Sequence, residues 1–221
     1  MVPRVGVVLS GCGYLDGAEI HESICALLAL DRAGVETRIF APDMELDVVD
    51  HRTGQGTGER RNVLVEAARI ARGQVEELGM ARAADLDALI LPGGFGAAKN
   101  LSSFATDGAH ASMHEGLSTL MRDMHAAGKP IGAICISPAL VALALGKAGP
   151  TITIGNDAGT AGALEKLGCH HQDCAVEDIV VDRPNKIVTT PAYMLGPSIA
   201  HVQQGIEKCV KATLDLLGDT A

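Results

Sequence analysis

"PIGAICISPALVALAL", residues 130–145, is the stretch whose reading decides the fold. Ile131 to Ile134 form an apolar run too short for a helix, and Pro130 marks its start. Ser137 and Pro138 then open a second apolar run. Ser suits an N-cap and Pro the first helical position, so together they are a start signal. The segment predicts a buried strand over 131–134, a helix over 138–145, and Cys135 on the corner between them. A strand running straight into a helix is the repeating unit of α/β architecture. A thiol at such a corner meets the positive end of the helix dipole, which favours thiolate. The corner also lifts the side chain out of the sheet, as nucleophile elbows do. Free cysteine is equally a small buried apolar residue, so core packing is the other reading of this position.

The same rhythm extends outward. Apolar strands are predicted over 5–9, 36–41, 88–91, 151–154, 179–181 and 186–189, with helices over 19–33, 62–72, 112–127, 162–167 and 197–217. This alternation predicts an α/β fold, a mostly parallel sheet with helices on both faces, in one domain spanning 1–221. Ligands of such sheets bind beyond the carboxyl ends of the strands, where Gly11, Gly93-Gly94 and Cys135 fall. Hydrophobic residues make up 47% of the 221, but aromatics only 2% and Trp is absent, so aliphatic side chains must build the core. The net charge of −9 and the lack of any Lys/Arg cluster argue against a nucleic-acid partner. With no apolar run of about 20 residues, no membrane span is expected. The start, "MVPRVGVVLSGCG", reads as a first strand and not as a signal peptide. Six scattered cysteines read as thiols of a reducing cytosol, giving a cytoplasmic expectation.

A nucleophile needs a proton partner. In "YLDGAEIHESICALLAL", residues 14–30, Asp16 and Glu19 form a D-x-x-E capping pattern. Glu22 shares a face with Cys25, Ala26, Ala29 and Ala33, away from Ile20, Ile24 and Leu27, at about 100° per residue. It reads either as a carboxylate desolvated beside the thiol or as a first-turn acid favoured by the helix dipole. In the first case the two groups share one proton near neutral pH, held mostly by Glu22. "LILPGGFGAAKNLS", residues 89–102, offers a Gly-Gly turn that can aim backbone N–H groups at a ligand, or simply make a tight turn. "GCHHQDCAVED", residues 168–178, gathers two His and two Cys but lacks the C-x₂-C spacing of a zinc site, so a polar loop is favoured and no metal is expected. The polar, Gly-rich loop 43–58 reads as solvated linker or as a lid over Cys135, with His51 and Arg52 turned inward. The helix over 19–33, apolar on two faces, predicts a homodimer that buries the surface near Cys25 and Ala29.

Six blocks carry a family resemblance: "GCGYLDGAEIHES" (11–23), "FAPD" (40–43), "TGERRNVLVEAARI" (57–70), "LDALILPGGFGAAKNLSSFA" (86–105), "GKPIGAICISPA" (128–139) and "DIVVDRPNKIVTTPAYML" (178–195). In this order they resemble the ElbB-type glyoxalases, in the PfpI-like branch of the class I glutamine-amidotransferase-like superfamily. The resemblance implies a flavodoxin-like three-layer sandwich with Cys135 as nucleophile on its elbow. It puts the partner carboxylate of the G-[AS]-E-x-x-E block on Glu22, and the oxyanion hole on the amides of Gly94 and Ile136. Gly11, His51 and Asn100 are further substrate-pocket candidates. The implied activity is a cofactor-independent conversion of glyoxal, or a related small dicarbonyl, and water to glycolate through a cysteine hemithioacetal. The partner is then a small aldehyde or dicarbonyl. Two departures matter: Ile136 stands where PfpI-type peptidases carry His, and residues 189–197 lack the His-x-Glu pair of amidotransferases. The alternatives are aldehyde repair on glycated groups, a cysteine redox sensor, and a binding module on the same scaffold.

Overall fold

The computed structural model describes residues 2–218. Its strands are β1 (Arg4–Val8), β2 (Glu36–Ala41), β3 (Glu45–Asp50), β4 (Gln55–Asn62), β5 (Glu76–Glu77), β6 (Ala88–Leu91), β7 (Ile131–Ile134), β8 (Thr151–Ile152), β9 (His170–His171), β10 (Val180–Asp182) and β11 (Ile187–Thr190). Its α-helices are α1 (Ile20–Arg32), α2 (Val63–Ile70), α3 (Phe95–Lys99), α4 (Phe104–Asp107), α5 (Glu115–Ala126), α6 (Pro138–Leu145), α7 (Ala158–Lys166) and α8 (Ile199–Asp215).

Seven strands form one sheet in the order β10-β11-β7-β6-β1-β2-β5. All neighbours are parallel except β10, which pairs antiparallel with β11. The central strands β6, β7 and β11 are buried at every residue, as strands covered on both faces must be. Phe40, Leu89, Leu117, Met121, Met124 and Leu140 belong to the core on one face, which α5 and α6 cover. Val5, Val7, Leu30, Val188, Ile206 and Val210 belong to the other, which α1 and α8 cover. The predicted α/β sandwich is therefore present. No helix among the described residues is long and apolar enough to cross a membrane.

Helix starts depart from expectation in instructive ways. Glu19, not Asp16, caps α1: its Oε2 accepts from Glu22 N–H at 2.6 Å. Asp16 instead accepts from Val49 N–H at 2.9 Å. Helix α7 starts at Ala158, well before the expected residue 162, because Asp157 caps it through Thr160 N–H. On α1 the half-buried Cys25 and Ala29 pack against the core. The exposed apolar row of this helix is Ile20, Ile24 and Leu28, at 42%, 46% and 41% exposure.

Residues 43–58 form no lid over Cys135. They belong to an antiparallel hairpin, β3–β4, in which β3 buries Leu46 in the core and packs Val48 against it, while the exposed β4 sets Arg60 2.8 Å from Glu45 and 3.6 Å from Asp47. Pairing with β3 makes a strand of the Gly-rich polar β4 segment, which carries no apolar alternation of its own. Arg52 is exposed. His51 braces the loop after β1, where its Nε2 accepts from Leu15 N–H at 3.3 Å and its Nδ1 lies 2.9 Å from Val49 O. Asn100 serves the same loop, its Nδ2 donating to Ser10 O at 2.9 Å and Asp16 O at 2.8 Å. Gly11 turns the loop at φ +115° and packs against Leu46. These three expected pocket residues therefore support the loop and do not line the cavity at Cys135. Asn100→Asp would set an acceptor against both carbonyls. We expect about 2 kcal/mol or more of destabilisation, from two lost hydrogen bonds at ~1 kcal/mol each, read from the urea midpoint. An unchanged midpoint would contradict the bracing role.

Candidate active site

Strand β7 hands the chain to Cys135 with φ +62°, a left-handed conformation that a residue with a Cβ rarely adopts. Cys135 N–H still donates to Thr190 O at 2.9 Å, so the sheet ladder holds the corner until the last residue. Ser137, expected as a cap, donates its hydroxyl to Pro92 O at 2.7 Å instead, tying the elbow to the strand end at β6. Backbone strain of this kind amounts to about 1–3 kcal/mol and persists where the surroundings over-determine the site.

The thiol lands against Glu22. Glu22 is fully buried and hydrogen-bonded to Cys135. Its Oε2 accepts from Gly93 N–H at 3.0 Å and its Oε1 from Tyr193 N–H at 3.2 Å. Gly93 has no room for a side chain. A Cβ there would run into Cys135 Cβ and stand 2.7 Å from Glu22 Oε2 and 3.0 Å from the sulfur. The amides of Gly94 and Ile136 both donate to the sulfur. Gly94 reaches this position at φ +92°.

Burial lifts the Glu22 carboxyl to about 7, with the Glu19 charge adding to the rise and the hydrogen bonds from Cys135, Tyr193 and Gly93 opposing it. Burial also pushes the Cys135 thiol well above its ordinary range, and so does the charge of Glu22. The two amides that donate to the sulfur oppose this without reversing it. Both groups are raised together, so the pair titrates as a coupled unit in the buried site.

Tyr193 was missed by the sequence reading. It follows Ala192, itself strained at φ +44°, and its phenol lies 2.8 Å from His21 Nδ1. The signal was topological: β11 adjoins β7, so residues just beyond its carboxyl end must flank Cys135. The pocket above the thiol is a cavity of about 550 Å³ whose walls include Tyr14, Phe95, Phe104, Ile136, Tyr193 and Met194. The residues of the 168–178 loop go elsewhere. Cys169 is buried in the core, His171 Nε2 accepts from Ile154 N–H at 3.3 Å, and Cys174 donates to Ala175 O.

A strained cysteine elbow facing a buried glutamate is the arrangement the sequence resemblance leads one to expect, and comparison with known proteins decides the family. The DJ-1/PfpI family profile matches residues 12–190. The chain belongs to the DJ-1/PfpI family. That family includes enzymes with a cysteine nucleophile. The human mitochondrial protein named glutamine amidotransferase-like class 1 domain-containing protein 3 is 46% identical across 97% of this chain and 84% of its own length. The zebrafish (Danio rerio) mitochondrial ES1 protein is 32% identical across 86% of this chain and 77% of its own. An Ehrlichia chaffeensis crystal structure, described as an isoprenoid biosynthesis protein with amidotransferase-like domain, superposes with a TM-score of 0.91. It is 39% identical and covers 98% of this chain and 100% of that one. The cytoplasmic expectation is overturned by the human and zebrafish relatives, which are named as mitochondrial. Scattered thiols indicate a reducing setting and do not single out the cytosol.

Two outcomes follow from the site. Alkylation of Cys135 by iodoacetamide is expected to speed up as pH rises through about 7, because ionised Glu22 then draws the thiol proton. In Glu22→Gln that step vanishes, and reaction rises only as the thiol itself ionises. A wild-type profile with no inflection near 7 would contradict the coupling. Separately, Cys135→Gly is expected to be more stable than Cys135→Ala by ~1 kcal/mol in denaturant unfolding, because glycine alone is unstrained at positive φ. Equal stabilities would show an unstrained elbow.

Proposed function

We propose that this DJ-1/PfpI member is a cofactor-independent glyoxalase-type enzyme, in which Cys135 adds to an α-oxoaldehyde and Glu22 moves the protons. The observation that carries the reading is a thiol on a strained elbow set beside a fully buried carboxyl, so close that a Cβ at Gly93 would meet both; burial lifts that carboxyl to about 7. A base poised near the working pH is what general acid–base chemistry needs.

Ionised Glu22 accepts the thiol proton as sulfur attacks the aldehyde carbon. The C–S bond forms and the carbonyl oxygen becomes an oxyanion, within reach of the Gly94 and Ile136 amides. Protonation gives a hemithioacetal. Glu22 then removes the hydrogen of that carbon, and the electron pair passes to the neighbouring carbonyl to form an enediol. Returning the proton to the second carbon leaves a thioester. The first carbon has been oxidised and the second reduced, so no external redox partner is required. Water cleaves the thioester, releasing the 2-hydroxy acid and the thiol. From glyoxal the product is glycolate.

The sensor reading is weaker here. Redox-sensing cysteines are exposed and low in pKa, whereas Cys135 is 7% exposed and its thiol is pushed up. Aldehyde repair would share the first addition step and differ only in what departs.

Purified protein incubated with glyoxal should form glycolate catalytically. Cys135→Ala should abolish turnover. Glu22→Gln should lower kcat by ~10²-fold or more, the usual loss of a general acid–base group. Glycolate formation that survives Cys135→Ala would refute the reading.

A further inference from the structure

The cavity over Cys135 holds most of this chain's aromatic side chains. The sequence has three Phe, two Tyr and no Trp. Four of those five, Tyr14, Phe95, Phe104 and Tyr193, line the cavity, Phe104 from within the core, and Phe40 packs in the core away from it. Tyr14 and Phe95 are also 47% and 46% exposed, so folding gains little from them. A chain that packs its interior with aliphatic residues has placed its aromatics around one site.

Size and charge agree. At about 550 Å³ the cavity falls in the range of roughly 300–1,000 Å³ typical of sites for drug-sized ligands, and glyoxal, the smallest dialdehyde, would leave most of it to water. Among the described residues, no Lys or Arg lines the cavity, and Glu19 does. The nearest cation, Lys99, lies 4.9 Å from the centroid of the Phe95 ring and donates to Leu15 O at 3.1 Å, so its charge is spent on the ring and a backbone carbonyl. Glu19 on the wall disfavours phosphate esters and keto acids.

We propose that the site takes an α-oxoaldehyde carrying an uncharged aromatic group, an arylglyoxal, in preference to the smallest dicarbonyls. This rests on the reading of Cys135 as the nucleophile. The thiol adds to the terminal aldehyde, Glu22 carries the hydrogen of that carbon to the ketone carbon, and water releases an aryl hydroxy acid. The ring stands among Phe95, Phe104 and Tyr14 throughout.

The test compares phenylglyoxal with methylglyoxal, which has the same ketoaldehyde head without the ring, and with 4-carboxyphenylglyoxal. Burying a ring predicts a KM for phenylglyoxal about 10- to 100-fold below that for methylglyoxal. The carboxylated analogue should lose at least tenfold of that gain. Phe95→Ala, which truncates a half-exposed side chain outside the core, should narrow the preference severalfold. A kcat/KM for methylglyoxal equal to or above that for phenylglyoxal would overturn the inference and leave the glyoxalase reading standing. Binding to Cys135→Ala separates the two claims. If no dicarbonyl is turned over yet acetophenone binds at least tenfold more tightly than 4-acetylbenzoate by calorimetry, the catalytic reading fails and the apolar, anion-rejecting site is upheld. If acetophenone does not bind either, both fall.

Discussion

The hydrogen bond between Cys135 and Glu22 is the contact around which the rest of the molecule is arranged. A carboxyl that would be anionic in water and an ionisable thiol are brought together in the protein interior. Neither can be charged beside a charged partner, so the pair keeps one proton between them. Four separate chain segments must converge to hold it: the start of α1 for Glu22, the end of β7 for Cys135, the Gly93-Gly94 turn after β6, and the turn after β11 that aims Tyr193 N–H. A parallel sheet supplies this convergence, because β6, β7 and β11 are neighbours and their carboxyl ends emerge together.

The local costs sit where that convergence demands them. Cys135 and Ala192 are non-glycine residues in left-handed conformations, and Gly93 is a place where even a methyl group would collide with both partners. The loop after β1 is secured by Asn100 and by His51, whose ring meets the Tyr14 ring edge-on at 5.3 Å, and it presents Tyr14 to the cavity. Stability held in the sheet and loops is spent at the elbow, a trade that strained functional sites make.

Much of this was legible in the sequence. The strands ALIL and IGAI are apolar throughout and IVTT is β-branched throughout, so they could be read directly as strands. The corner and helix phase marked Cys135 and Glu22 as candidates, and the family resemblance paired them. The hairpin over 45–62 was not, because QGTGERRN carries no alternation and is held by ion pairs that depend on a partner strand. Gly11, His51 and Asn100 sit at the right end of the sheet but satisfy loop backbone groups, a use that proximity alone does not reveal. Tyr193 and the aromatic wall are drawn from segments far apart in the chain, so only the strand order gathers them. The burial that raises the thiol comes from packing by segments far apart in the chain, which the local corner motif does not show.

The most direct measurement of the central claim is the protonation of Glu22 itself. In the infrared spectrum of protein carrying isotope-labelled glutamate, compared with Glu22→Gln, the carboxylic acid C=O stretch of Glu22 can be followed against pH. The account predicts that this band persists well above the ordinary glutamate value of 4.5 and disappears near 7. A band already lost by pH 5 would mean that Glu22 is an ordinary carboxylate, uncoupled from the cysteine, and would contradict the account.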